Sequence, residues 1–322
     1  MALRPRSIAG NSLTAGYQSG GISDSTQQES YAYLVATQSM DTRFAYPALA
    51  APGCPPPVAN FQTQSRGSAG TVVFTGSTCG LRAQSGVTAL LNNVAVPGAY
   101  SIDPFSRTTA TSNTLTTLIL GGVSQVTKAL ALDPTFVSLW IGNNDVLAAG
   151  VSGVLTAMPG VSPGITPAAT FATNFNTIAD SLALGGSLEG GVALGVINVT
   201  AAPILFPAGV LLAVPAFRAG FEQFAGGPVT ILPNCTTSAS LVSFQIAPAM
   251  RAGTHPRVIS CRKGDFPQSA LVGEVFILDA EEQATTLMKT NPARMLEGLD
   301  PLPAAPVVVK QSLWRRMSEL FH

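Results

Sequence analysis

Charge is what this chain has least of. Only 11% of its 322 residues are Asp, Glu, Lys or Arg, less than half the roughly 25% usual for soluble domains. The 17 basic and 17 acidic residues cancel, which leaves no electrostatic footprint for nucleic acid and argues against such a partner. No CxxC pair and no Cys/His cluster is present, so a zinc site has little support. A Gly-rich phosphate loop of the GxxxxGK(S/T) kind is missing, and so is a GxSxG elbow. No metal, nucleotide or redox cofactor is therefore indicated, and the common α/β-hydrolase arrangement is not suggested. Long apolar runs are missing too. The strongest, AAPILFPAGVLLAVPAF at residues 201–217, carries Pro203, Pro207 and Pro215, which would break a spanning helix. It reads as an apolar loop or short helix, and no transmembrane segment is expected. The opening MALRPRS has no apolar core of the signal-peptide kind.

What is abundant is apolar surface, glycine and proline. Hydrophobic residues make up 46% of the chain, with 31 glycines and 24 prolines. A chain of this length buries a large core, and the composition suits long ordered loops on a packed scaffold better than disorder. Four cysteines fall into two similarly spaced pairs, Cys54 with Cys79 and Cys235 with Cys261. That pattern fits two local disulfides and an oxidising compartment; four free buried thiols remain the plainer alternative.

Three runs read as strands: residues 87–96 (VTALLNNVAV), 136–141 (FVSLWI) and 191–199 (GVALGVINV). Helix-like stretches occupy 29–38, 112–132 and 167–184. Strands alternating with helices indicate βαβ units and a parallel sheet, and almost continuous Val, Ile and Leu suits strands buried on both faces. Functional loops in such sheets gather at the carboxyl ends of the strands. Long insertions at 47–80 and 148–167 interrupt the pattern. Residues 3–8 (LRPRSI) look wrong for a first buried strand, since they hold Pro5, Arg4 and Arg6. The tail from 301 to 322 turns Pro-rich and then basic and amphipathic around Trp314, Arg315 and Arg316; a solvated surface segment is the safer reading.

Three short segments carry chemistry. GNSLTAG at 10–16 places Ser12 between a glycine-containing turn and a helix-forming run; a serine nucleophile needs such projection and a base within reach. In NVAVPGAY at 93–100, Gly98 follows a strand, where its N–H can point at a developing oxyanion. In IGNNDVL at 141–147, Asn144 can donate a side-chain N–H to the same oxyanion, and Asp145 can cap the next helix. Each segment alone is more often a plain turn or cap.

In this order the three resemble blocks I, II and III of the SGNH/GDSL hydrolases. The runs AGYQSGGISDSTQQESYAYL, PGCPPP and LLNNVAVPGA are similar to a secreted bacterial lipase/esterase branch of that family, over about residues 8–280. The resemblance implies a three-layer α/β/α fold of flavodoxin-like kind, with a central, mainly parallel sheet and long loop insertions. It assigns 1–290 to one hydrolase-like domain, its completeness at both ends left open, and 291–322 to an atypical tail. It implies Ser12 as nucleophile and Gly98 and Asn144 as oxyanion donors beside the Ser12 N–H. It also implies a secreted or periplasmic location, a small-molecule ester or lipid substrate, and no cofactor.

Two positions depart from the family. Asn11 stands where Asp is usual, which keeps a hydrogen-bonding shape and removes a charge. The last block, DxxH, has no counterpart, and the only histidines are His255 and His322. His255, in RAGTHPRV, becomes the candidate base, although a loop histidine is the plainer reading. The expected account is a C-terminal segment truncated or replaced. Without a base, an oxyanion hole and binding still give about 10³–10⁴ over water. The leading expectation is therefore an ester hydrolase acting through an acyl-enzyme on Ser12, with apolar stretches at 148–157 and 204–217 as an acyl-binding rim. The alternative is a catalytically impaired relative that binds lipid or glycan. The oligomeric state is not legible.

Overall fold

The computed structural model describes residues 6–39, 44–60, 65–66, 80, 90–106, 114–152, 157–162, 164–197, 205–238, 241–244, 246–261 and 277–278. Cys79, the tail at 291–322 and most of LDAEEQ at 278–283 lie outside them. The chain divides into two compact units. One comprises residues up to Asn144 with Ala169–Val196; the other comprises Asp145–Ala168 with Ile197–Asn291.

In chain order the elements are β1 (Arg6–Gly10), α1 (Ser12–Ala15), α2 (Asp24–Gln28), α3 (Tyr31–Gln38), β2 (Val58–Asn60), β3 (Ser65–Arg66), α4 (Asp103–Ser106), α5 (Thr114–Leu120), α6 (Gln125–Leu130), β4 (Phe136–Trp140), α7 (Asn144–Ser152), α8 (Ala168–Ala183) and β5 (Gly190–Ala193). Then follow β6 (Leu205–Pro207), α9 (Val210–Ala213), α10 (Pro215–Ala225), β7 (Thr230–Ile231), β8 (Leu241–Ser243), α11 (Ile246–Arg251), β9 (Val258–Ile259) and β10 (Ile277–Leu278).

The first unit is mixed α/β around a parallel sheet. β1 pairs with β4 from Arg6 opposite Phe136 to Gly10 opposite Trp140, and β4 pairs in parallel with β5. On the free side of β1 the expected strand at 87–96 is present as a bridge only, its residues 87–89 lying outside the described set. Ile8 N–H donates to Asn92 O at 2.6 Å, Val94 N–H to Ile8 O at 2.9 Å and Val96 N–H to Gly10 O at 3.1 Å. Residues 92–96, β1, β4 and β5 thus lie side by side. Ile8, Ala9, Val94, Val96, Val137 and Leu139 are all buried, as runs covered on both faces require.

β1 is the main departure from the sequence reading. Residues 3–8 looked unsuited to a central strand, yet Arg6–Gly10 is flanked on both sides. Arg6 sits at the first position of the strand and donates from its guanidinium to Ser39 Oγ at 3.1 Å.

The helices follow from local chemistry. Ser30 caps α3 by accepting from Tyr33 N–H, which starts the helix two residues later than the stretch at 29–38. The stretch at 112–132 divides into α5 and α6 at Gly121 and Gly122, both at positive φ, and Ser124 restarts it as N-cap. In α8, Phe171, Asn174, Phe175, Ile178, Ala179 and Leu182 are buried, the i, i+3, i+4, i+7 spacing of a helix with one face on the core. Each large apolar side chain so placed contributes roughly 1.5–3 kcal/mol.

The second unit has a core of its own. β6, β8 and β10 form an antiparallel sheet in the order β10-β8-β6, and β7 pairs in parallel with β9. Phe206, Leu211, Phe221, Val242, Ile246, Met250 and Ile259 cluster beneath it. Phe206 meets Phe217, Phe221 and Phe244 edge-on, at centroid distances of 5.0, 5.8 and 6.2 Å. Residues 205–217 are therefore a strand, α9 and the start of α10, where a loop or short helix was expected. Pro215 is tolerated because it occupies the first turn of α10, where the missing N–H has no partner to lose. Cys235 and Cys261 form the disulfide expected from their spacing. Cys54 is also disulfide-bonded. No helix among the described residues is long and apolar enough to cross a membrane.

Candidate functional site

Ser12 is the first residue of α1, two residues beyond the carboxyl end of β1. Its turn is built by close packing. Asn11 N–H donates to Trp140 O of β4 at 3.2 Å, and Asn11 Oδ1 caps α1 by accepting from Leu13 N–H at 3.2 Å. A side chain at Gly10 would sit 2.5 Å from both Thr14 Oγ1 and Trp140 O, so only glycine lets β1 run this close to β4 before the serine. Gly10 N–H is taken by the buried Gln125 Oε1 of α6 at 3.1 Å. Gly16 ends α1 at φ +86°, where a Cβ would strike Thr26 O at 2.5 Å. The outcome is a half-buried serine on a fixed turn.

Gly98 lies two residues beyond Val96, past the end of the segment beside β1. It is exposed and holds φ at +81°. Its N–H donates to Ser12 Oγ at 3.2 Å. Asn144, at the start of α7, follows β4, and its Nδ2 donates to Ala99 O at 2.8 Å. The three residues thus stand past the carboxyl ends of β1, β4 and the segment 92–96 that runs beside β1. Ser12 and Gly98 touch directly, and Asn144 is tied to the residue after Gly98. Between β4 and Asn144, Gly142 holds φ at +110°.

His255 belongs to the other unit. It follows α11 in a loop, as expected, but is only 3% exposed. Its Nδ1 lies 2.6 Å from Pro256 O. A carbonyl can only accept, so the proton is on Nδ1 and Nε2 is the basic nitrogen of the neutral ring.

Polar side chains that the sequence reading passed over also belong to this neighbourhood. Asn93 Nδ2 donates to Thr14 O at 2.9 Å, and Thr14 Oγ1 lies 3.2 Å from Tyr31 OH. Burial pushes the Tyr31 hydroxyl pKa up, against the opposing hydrogen bonds to Thr14 and Ser138, so it stays a neutral phenol beneath α1. The signal for Asn93 was its place in LLNNVAV, an amide inside an apolar run. Among the described residues no group of His, Cys, Asp and Glu could hold a metal ion.

A backbone N–H beside a half-buried hydroxyl can hold the oxyanion that forms when that hydroxyl attacks a carbonyl, while activation of the hydroxyl itself requires a base. Comparison of the chain with protein-family models, curated proteins and solved structures found no match.

Proposed function

We propose that the chain is a serine ester hydrolase of the SGNH type, with a three-layer, flavodoxin-like first unit, working in an oxidising compartment. The observation that carries this reading is the hydrogen bond from Gly98 N–H to Ser12 Oγ, made past the ends of β1 and the segment 92–96 that runs beside it. The order 92–96, β1, β4, β5 agrees with it, because it is the 2-1-3-4 start of a flavodoxin-like sheet. The Cys235–Cys261 bond fits secretion or a periplasmic location.

In this reading Ser12 Oγ attacks the carbonyl carbon of a carboxylic ester and its proton passes to a base. The carbonyl oxygen becomes an oxyanion held by Gly98 N–H and by the Asn144 amide. Collapse breaks the bond to the alcohol, which leaves with the proton, and water then releases the acid from Ser12. Each such donor is worth about 10²–10³ in rate. His255 is the candidate base named from the sequence, and its substitution tests that role.

The test is hydrolysis of a short-chain p-nitrophenyl ester by the full chain, by Ser12→Ala and by His255→Ala. Activity lost in Ser12→Ala supports the reading, and the His255 variant then decides the base. A folded wild-type chain no faster than Ser12→Ala overturns it. Lipid or glycan binding by that inactive chain would favour the binding-protein alternative.

A further inference from the structure

We propose that Asn93 is a positioning residue for Ser12, setting the separation between the nucleophile and the Gly98 N–H. The proposal rests on the hydrolase reading. α1 is a single turn of four residues, too short to hold its shape unaided. Near its carboxyl end, the carbonyl of Thr14 is among those that a helix cannot satisfy internally. Asn93 supplies the missing donor: Nδ2 reaches Thr14 O at 2.9 Å. Its Oδ1 accepts from Ala95 N–H at 3.0 Å, so the same amide fixes the path of the segment that runs on to Gly98.

The other bonds on the turn, Gln125 to Gly10 and Trp140 to Asn11, hold its strand side. Val96 N–H on Gly10 O ties the segment that delivers Gly98 to the end of β1, and Asn93 is the side chain from that segment that reaches α1 itself. It is 4% exposed, so water cannot readily replace it. One buried amide therefore clamps the two elements whose meeting is the 3.2 Å contact between Gly98 N and Ser12 Oγ.

The experiment uses the full chain. It measures labelling of Ser12 by a fluorophosphonate, and kcat and KM on p-nitrophenyl acetate, for wild type, Asn93→Ala and Asn93→Asp. Removing the clamp is expected to lower kcat and the labelling rate about tenfold or more, because small misplacements at a reacting centre are costly. KM should stay within about twofold. Asn93→Asp keeps the acceptor for Ala95 and loses the donor to Thr14, so it decides the matter if Asn93→Ala does not fold. A protonated carboxyl can donate again; the labelling rate of Asn93→Asp relative to wild type should therefore recover as pH is lowered. Folded variants that label at the wild-type rate, or a relative rate that is flat with pH, overturn the proposal. Failure of the underlying reading is distinguishable: the wild-type chain would then not be labelled at Ser12 at all.

Discussion

Gly142→Ala is the sharpest test of how the loop carrying Asn144 is built. Gly142 sits at φ +110°, a conformation that costs a residue with a side chain about 1–3 kcal/mol. The added methyl would also lie 2.5 Å from Phe171 Cε2, 2.7 Å from its Cζ and 2.8 Å from Val196 Cγ2. Phe171 cannot easily step aside, because it is 2% exposed and stacked on Phe175 at 5.9 Å. Overpacking of that kind costs about 1–3 kcal/mol, so the expected total is about 4 kcal/mol. The two contributions separate in a double-mutant cycle. Phe171→Leu removes the ring atoms that the methyl meets and should return about 1–2 kcal/mol of coupling, while the backbone share remains. Urea unfolding followed by tryptophan fluorescence gives both numbers, since Trp140 lies two residues before the substitution. A loss below about 1 kcal/mol for Gly142→Ala, or a cycle without coupling, would refute the reasoning.

Replacing Cys235 and Cys261 together by Ser opens a loop of sequence separation 26. The chain-entropy model puts the loss at about 3.5 kcal/mol; a change below about 1 kcal/mol in urea melts would count against it. Glu222 accepts from Val229 N–H at 3.0 Å and from Arg218 Nε at 3.0 Å, and first the backbone bond, then the arginine, hold its carboxyl below the usual range. Its stabilisation is therefore present above the unfolded value of about 4.3 and fades as pH falls through the lower, folded one. Glu222→Gln should flatten the fall in urea midpoint on acidification from about pH 5, and unchanged pH profiles would rule this role out.

What the sequence made legible was set by local chemistry. FVSLW became β4 and residues 168–183 became α8, because unbroken apolar residues and a 3.6-residue period are written in neighbouring positions. Ser12, Gly98 and Asn144 could be named from short motifs, and the structure brings Ser12 and Gly98 into contact. The misses have a common cause. Arg6–Gly10 is a strand because β4 and residues 92–96 flank it, overriding a poor local composition. Gln125 and Asn93 act on backbone atoms 115 and 79 residues away, and no window along the chain holds both partners. The burial of His255 was hidden for the same reason.

The scarcity of charge and the polar detail of the first unit are one design. Loops passing beneath a buried sheet leave carbonyls and N–H groups that must be satisfied, and an ion doing so would pay a large desolvation cost. A carboxamide carries a donor and an acceptor together and costs far less to bury. Gln27 gives Nε2 to Pro47 O at 2.9 Å and takes Leu49 N–H at 2.9 Å. Asn92 gives Nδ2 to Arg6 O and takes Ala45 N–H, both at 2.7 Å. Asn93 repeats the pattern under Ser12, and all three side chains are buried. Neutral amides therefore stitch the loops to α2, β1 and α1 where a more highly charged protein would use ion pairs. Such bonds carry no net charge to be screened, so the geometry around Ser12 should hold across ionic strengths that weaken surface electrostatics.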